Sequence, residues 1–298
     1  MGFFLEVLIG GLMTGVLYSL VALGLVLIFK ASGVFNFAQG AMVLFAALTL
    51  VRLMEKVPLP VALAITCVVM LALAYVIERC VLRPLVNQPG ITLFMATLGI
   101  TIFLEGFGQI LWGSDIYKLD LGIPQQPYII LDKLFDGGVL INGEDLFATV
   151  VAGALVTALA IFFQKTRIGR ALRAVADDHQ AAQAVGIPLN TIWLIVWTVA
   201  GIVALVAGVI WGSRLGVQFS LSLIALKALP VVILGGFTSV PGAIIGGLII
   251  GVGEKMSEVY LGPHIGGGIE NWFAYSLALV FLLIRPEGLF GEEHIDRV

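Results

Sequence analysis

Charged residues are scarce in this sequence. Only 12% of its 298 residues are charged, 60% are hydrophobic, and the mean hydropathy is +1.08. A soluble domain carries about 25% charged residues, so this composition excludes one. Apolar runs reach the roughly 18 residues that an α-helix needs to cross a bilayer, and the alternating polarity of a membrane barrel is absent. The sequence therefore predicts an all-α, polytopic transmembrane helical bundle.

Residues that build catalytic or metal sites are also few. His179, His264 and His294 lie isolated in polar segments, and Cys67 and Cys80 lie in or beside one apolar run, where thiols usually pack as small hydrophobic groups. No glycine is followed by lysine, so the Gly-x4-Gly-Lys-Ser/Thr phosphate loop is missing. We expect no enzyme activity, no bound metal or cofactor and no nucleic-acid partner. If ATP drives transport, the ATPase is another polypeptide.

Nine apolar runs alternate with polar segments. They cover residues 3–29, 41–51, 59–77, 91–112, 146–163, 191–213, 221–234, 243–252 and 271–284. If every run crosses the membrane, the chain has nine spans with its N-terminus outside, and if one of the two broken segments is re-entrant, it has eight. We expect residues 1–298 to form a single transmembrane domain with broken helices.

The two longest polar segments differ in charge. Residues 113–145 hold six acidic side chains and two lysines, whereas residues 165–190 begin with four Lys or Arg within nine residues. Lys and Arg beside membrane spans stay on the cytoplasmic side. We therefore expect 113–145 to be a periplasmic loop and 165–190 to be cytoplasmic.

The cytoplasmic segment has the pattern of one amphipathic helix that ends at Gly186 and Pro188. Its predicted apolar stripe comprises Ala171, Leu172, Val175, Ala182 and Val185, and the residues off the stripe are Arg170, Arg173, Asp177 and Asp178. Such a helix can lie on lipid headgroups as an interfacial linker or dock into a groove of another protein.

Two breaks in the apolar sequence share one spacing. Gly33-x-Phe35-x4-Gly40-Ala41 matches Gly235-x-Phe237-x4-Gly242-Ala243, which indicates either an internal repeat or a coincidence in a glycine-rich chain. Transporters often place interrupted helices at the substrate path. Asn36, Gln39 and Gly40 are therefore candidates to bind the amino or carboxylate group of a small zwitterion, and the alternative is a plain interhelical turn. Glycines at four-residue spacing elsewhere predict close helix packing: Gly11 with Gly15, and Gly242, Gly246, Gly247 and Gly251.

Polar residues inside apolar runs are the remaining candidates. Four of them recur every fourth residue and fall within roughly 120° of one helix face: Thr97, Thr101, Glu105 and Gln109. Lys227, close to Pro230 in the second broken region, is the opposite charge that Glu105 could meet. The pair would either line a pathway or form a structural bridge, with snorkelling to an interface as a further alternative.

These motifs together resemble the LivH-type permeases of branched-chain amino acid ABC transporters over nearly the whole chain. The similar blocks are Phe35-Asn36-Phe37-Ala38-Gln39-Gly40, Gly169 to Ala174, Leu234-Gly235-Gly236, Pro241-Gly242-Ala243 and Arg285 to Gly291. Gln180-Ala181-Ala182-x3-Gly186 is similar to the first half of the Glu-Ala-Ala-x3-Gly loop by which ABC importer permeases engage their ATPase. Gln replaces the usual Glu, and the Ile-x-Leu-Pro ending is absent.

The resemblance implies a permease subunit in the bacterial inner membrane that imports branched-chain or other hydrophobic amino acids. Implied partners are a second homologous permease, two cytoplasmic ATPases that hold ATP and Mg, a periplasmic substrate-binding protein and membrane lipid. The implied ATPase-coupling residues are Arg170, Arg173, Ala181, Ala182 and Gly186. A urea or short-amide ABC permease, an ion-gradient-driven secondary transporter or channel, and a membrane-embedded enzyme or structural subunit are the alternatives.

Overall fold

The computed structural model describes residues 2–85, 88–123, 126–130 and 138–291. Helices dominate this part of the chain, which confirms the predicted all-α polytopic bundle. The α-helices are α1 Gly2–Ser32, α2 Ala38–Met54, α3 Leu59–Val76, α4 Gly90–Trp112, α5 Gly143–Lys165, α6 Arg167–Asp177, α7 His179–Ala184, α8 Leu189–Leu215, α9 Ile224–Gly235, α10 Val240–Tyr260, α11 Gly262–Ile265 and α12 Phe273–Ile284. A π-helix Ile77–Leu82 and 3₁₀ turns Arg83–Leu85, Phe219–Leu223 and Ile269–Asn271 complete them.

Six helical segments in the described residues are long and apolar enough to cross a membrane. They are Gly2–Ser32, Leu59–Leu85, Gly90–Trp112, Gly143–Lys165, Leu189–Leu215 and Val240–Tyr260. Three further apolar helical segments are shorter: Ala38–Met54, Phe219–Gly235 and Phe273–Ile284. All nine coincide with the apolar runs of the sequence.

The acidic loop contains a small hairpin that the sequence pattern did not predict. Strands β1 Pro127–Ile130 and β2 Val139–Asn142 pair antiparallel, with Pro127 opposite Asn142. Four-residue strands are too short for a clear alternation of polarity. Asp132, Lys133 and Asp136 of this loop, and His294, lie outside the described residues.

The helices form two compact units. One comprises Gly24–Leu121 and Thr157–Ala225, and the other comprises Met1–Leu23, Gly122–Val156 and Leu226–Val298. In the first unit α2 is the central element, because every residue from Ala38 to Val51 is buried. A helix that is apolar on all sides belongs inside a bundle. It packs against α3, α4, α8 and the 3₁₀ turn Phe219–Leu223.

In the second unit α1 and α10 run antiparallel with their backbones in close contact. A Cβ atom added at Gly11 would lie 2.7 Å from the Cα of Val252, and one added at Gly15 would lie 2.7 Å from the carbonyl oxygen of Gly247. Gly251 meets the backbone of Gly15 in the same way. The predicted packing role of these glycines is confirmed.

Candidate functional site

The first break is a five-residue connection whose polar groups are buried. α1 ends at Ser32 and α2 begins at Ala38, and both Asn36 and Gln39 are 0% exposed. Asn36 accepts a hydrogen bond from the N–H of Ala38 at 3.1 Å and donates to Oε1 of Gln39 at 3.3 Å. Gln39 donates in turn to the carbonyl oxygen of Ala200 in α8 at 3.3 Å. The two amides therefore join the break to α8, which is compatible with the interhelical turn as well as with a substrate site.

Gly40 has no room for a side chain. A Cβ atom there would overlap the carbonyl oxygen of Ser222, in the 3₁₀ turn before α9, and would lie 3.1 Å from Cβ of Ala225. The first turn of α2 is thus held against this 3₁₀ turn by backbone contact. Only glycine fits at position 40, because any side chain there would collide with Ser222.

Of the four polar residues on α4, one contacts the first break. The hydroxyl of Thr97 is buried and donates to the carbonyl oxygens of Phe94, at 2.9 Å, and Phe35, at 3.4 Å. The hydroxyl of Thr101 donates within α4 to the carbonyl oxygen of Thr97 at 2.9 Å. Glu105 is half-buried and Gln109 is exposed. Burial therefore decreases along the predicted polar face.

Aromatic residues around the first break were not predicted from the sequence. The rings of Phe35 and Phe94 both pack edge-on against Phe37, with centroids at 4.8 and 5.0 Å. A cavity of about 10 Å³ beside Thr97 is lined also by Trp193, whose buried Nε1 has no hydrogen-bond partner in the described part of the chain. That volume suits about one water molecule. Trp193 carried no sequence signal, because a tryptophan in an apolar run usually indicates packing.

The second broken region places Lys227 near an acidic residue that sequence reasoning missed. Glu254 of α10 is 4% exposed, accepts a hydrogen bond from the hydroxyl of Tyr18 at 2.8 Å, and interacts electrostatically with Lys227 of α9. The sequence could have shown that Glu254 shares a face of α10 with the packing glycines, because Gly247, Gly251 and Glu254 follow the i, i+4, i+7 pattern of one helix face. The pairing of Glu105 with Lys227 stays a prediction.

The second break resembles the first in its local structure. α9, which contains the buried Pro230, ends at Gly235, and α10 begins at Val240 with Gly242 as its third residue, as Gly40 is the third residue of α2. A Cβ atom at Gly242 would overlap the carbonyl oxygen of Gly235. The matching helix starts favour the internal repeat. The glycine contacts differ, because Gly40 meets Ser222 outside its own break and a Cβ atom at Gly33 would meet nothing within 4 Å.

The C-terminal motif covers the second break. The N–H groups of Leu289 and Phe290 donate to the carbonyl oxygens of Leu234 and Gly235 at 2.8 and 3.1 Å. These bonds satisfy the carbonyl groups that a helix end leaves unpaired. Three sequence blocks that carried the family resemblance therefore meet at one place in the fold.

Elsewhere, Cys67 and Cys80 are free thiols, and the described residues contain no group of three His, Cys, Asp or Glu suited to a metal ion.

The basic segment 165–190 forms two helices, so the prediction of one continuous amphipathic helix was wrong. α6 ends at Asp177, and Asp178 is extended, with φ −158° and ψ 113°. The carboxylate of Asp178 accepts a hydrogen bond from the N–H of Ala181 at 3.0 Å and so acts as the N-cap of α7. Aspartate is a favoured cap because its side chain bonds to nearby backbone, and the same property disfavours it inside a helix.

The break at Asp178 changes which residues share the apolar stripe. Leu172, Val175 and Ala182 are buried as predicted, but Val185 is 76% exposed. The stop at Gly186 is confirmed: its φ is +86°, and the N–H of Ile187 donates to the carbonyl oxygen of Ala182 at 3.0 Å. This is the bond that closes a helix through a left-handed glycine.

A hydrogen bond and a close backbone contact hold α6 against the C-terminal end of α5. Nη1 of Arg173 donates to the carbonyl oxygen of Phe163 at 2.8 Å, and Gly169 lies directly against the same peptide group. Thr166 accepts a hydrogen bond from the N–H of Gly169 at 3.2 Å as the N-cap of α6. Arg170 is exposed, as are Ala181 and Gly186 in the second half of the segment, and the side chains of His179 and Gln180 lie outside the part that the structure describes.

Membrane-length helices, glycine-lined helix breaks inside the bundle and a basic segment at its surface define a polytopic membrane permease. A family model described as "Branched-chain amino acid transport system / permease component" matches residues 7–285. The chain belongs to this family, which confirms the resemblance found in the motifs. It is a transport permease subunit, without enzyme activity of its own, and a multi-pass inner-membrane protein.

Similar proteins cover almost the whole chain. The high-affinity branched-chain amino acid transport system permease protein BraD of Pseudomonas aeruginosa is 30% identical over 99% of this chain and 98% of its own length. A probable branched-chain amino acid transport permease protein LivH of Methanocaldococcus jannaschii is 31% identical over 96% of this chain and 92% of its own. Among solved structures, PsaBC from Streptococcus pneumoniae in complex with Fab matches with a TM-score of 0.50 and 15% identity, over 93% of this chain and 91% of that one. At that identity the likeness supports the fold alone.

Proposed function

We propose that this chain forms, with a second related permease subunit, the membrane path of an ATP-binding-cassette importer for branched-chain or other hydrophobic amino acids. The full-length similarity to BraD and LivH proteins supports this substrate class. ATP and Mg bind to two cytoplasmic ATPases on separate chains, as in the ABC importers that the motifs of this sequence resemble. A periplasmic binding protein delivers the amino acid to the outer face.

The chain crosses the membrane eight or nine times. The six long helices account for six crossings, and two or all three of the shorter ones supply the others. α2 has 17 residues, which at 1.5 Å per residue gives about 26 Å, close to the hydrocarbon thickness of about 30 Å. With nine crossings, residues 113–145 lie outside, 165–190 inside, and the antiparallel α1 and α10 run in opposite directions through the bilayer.

The observation that carries the coupling proposal is the attachment of α6 to α5 through Phe163. The exposed Arg170, Ala181 and Gly186 offer a surface to an ATPase, and Arg173 and the buried Ala182 hold that surface to the protein. α6 and α7 also contact α8, the helix that receives the hydrogen bond from Gln39. Movement of the segment would thus reach the first break through contiguous packing.

The translocation path uses the first break, the polar face of α4 and the broken region of α9. Its residues are Asn36, Gln39, Gly40, Thr97, Thr101, Glu105, Gln109, Lys227 and Pro230. Buried amides and freed backbone groups at a helix break suit a zwitterion that leaves water.

The test is ATP-dependent leucine uptake by the complete complex in liposomes, with Arg170→Glu as the variant. Arg170 is exposed, so we expect unchanged thermal unfolding but loss of most uptake and of transport-linked ATP hydrolysis. Lys56→Glu, at an exposed lysine beyond the far end of α2, is the matched control. Full uptake in Arg170→Glu would contradict the coupling role, and uptake by the chain alone, driven by an ion gradient, would favour a secondary transporter.

A further inference from the structure

A cavity of about 270 Å³ lies between the N-terminal half of α1, the β2–α5 corner and the C-terminal half of α10. All three elements belong to the same compact unit. Small-molecule pockets begin at about 300 Å³, so this space suits a ligand no larger than an amino acid. Neither the sequence motifs nor the translocation path described above includes it.

The lining combines charges of both signs. Glu6 of α1 and Asp145 in the first turn of α5 place carboxylates at the cavity, and Lys255 of α10 places an ammonium group there. Nζ of Lys255 is 3.8 Å from Oε2 of Glu270. Hydrogen bonds of this type span about 2.7–3.2 Å, so this ion pair leaves the ammonium protons able to bond to a carboxylate in the cavity.

Apart from Asn142, the rest of the lining is apolar. Val7 and Met13 are buried, and the exposed Phe3 also lines the cavity, with its ring edge-on to Tyr260 at 6.4 Å between centroids. An aliphatic side chain entering the cavity would leave water for this surface, which is favourable. The cavity therefore offers a cation, an anion and an apolar wall within the reach of one small molecule.

We propose that this cavity is a binding site for a zwitterionic, apolar amino acid, with the ligand carboxylate on Lys255 and its ammonium on Glu6 and Asp145. The inference rests on the proposed function and adds a first binding step, since the nine-span orientation puts the cavity at the outer face. Urea and short amides carry neither charge, so the site would select amino acids over them. A phosphatidylethanolamine headgroup also carries both charges, and the experiment must separate it from a free amino acid.

The experiment uses the complete complex in phosphatidylcholine nanodiscs, without the binding protein, and a diazirine analogue of leucine as the probe. Photolabelling followed by peptide mapping should mark residues 3–13, 140–145 or 255–259, and excess leucine should suppress the label where urea does not. Lys255→Met removes a charge-assisted hydrogen bond, which should lower labelling about tenfold or more. Lys255→Arg and the exposed Lys56→Met should retain it.

The position of the label and the compounds that suppress it test the cavity site. No label in residues 3–13, 140–145 and 255–259, cavity labelling that Lys255→Met leaves unchanged, or cavity labelling abolished by added phosphatidylethanolamine but insensitive to leucine would overturn the amino-acid site. Leucine uptake by the unmodified complex is measured in parallel with the binding protein present. Normal uptake without labelling of the cavity would refute this site alone, whereas absent uptake would refute the proposed function.

Discussion

Replacing Gly40 by alanine is the sharpest perturbation of the first break. The added Cβ would overlap the carbonyl oxygen of Ser222 and lie 2.9 Å from its carbonyl carbon. These are backbone atoms, which cannot rotate away as a side chain can. The start of α2 must therefore separate from the 3₁₀ turn Phe219–Leu223, or that turn must move.

The expected loss of stability in Gly40→Ala is estimated by comparison with a glycine whose surroundings leave room for a side chain. Gly99 in α4 is exposed, and a Cβ there would meet nothing within 4 Å. Alanine gains up to about 1 kcal/mol over glycine in a helix, and this gain is similar in both variants. The difference between Gly40→Ala and Gly99→Ala is then the cost of overpacking, about 1–3 kcal/mol. At about 2–4 °C per kcal/mol, the unfolding temperature of Gly40→Ala should lie about 2–12 °C below that of Gly99→Ala.

The assay is thermal unfolding of the purified complex in detergent, together with leucine uptake at a temperature where both variants are folded. We expect Gly40→Ala to lose uptake as well as stability, because the break and the hydrogen bond from Gln39 to Ala200 of α8 shift with α2. Equal unfolding temperatures for Gly40→Ala and Gly99→Ala would refute the close contact at Ser222. A less stable variant with full uptake would show that this break is only a turn.

Two further predictions concern the other sites. Asp178→Ala removes the N-cap of α7, which costs about 1 kcal/mol, so backbone amides 181–184 should exchange hydrogen about fivefold faster and ATP-linked uptake should fall. Asp178→Asn keeps the cap and should behave as the wild type. Equal hydrogen exchange in both variants would contradict the capping role of Asp178. Tyr18→Phe leaves the buried carboxylate of Glu254 without its donor and should destabilise the protein by about 1–3 kcal/mol in thermal unfolding. The exposed Tyr75→Phe is its control, and identical unfolding of the two would argue against the Tyr18 bond.

Local chemistry made much of the fold predictable. The positions of the apolar helices follow from hydrophobicity, and the stop at Gly186 follows from the left-handed backbone that glycine adopts most easily. The break after Gly33 and the close packing at Gly15 were also visible as sequence patterns. The helix break at Asp178 was not predicted. An aspartate that caps a helix and an aspartate inside a helix cannot be told apart in the sequence until the backbone on either side is known.

The amino-acid sequence by itself determined the class of this protein, the two glycine-containing breaks between its apolar helices, and the position of the basic polar segment, because each depends on residues close together in the chain. Only the tertiary structure decided that α2 is the buried centre of one unit, that Glu254 meets Tyr18, and that Lys255 shares a cavity with Glu6 and Asp145. Each of these depends on which helix faces lie against one another. Pairings between residues more than a hundred positions apart are set by packing of the whole bundle, and no local pattern specifies them.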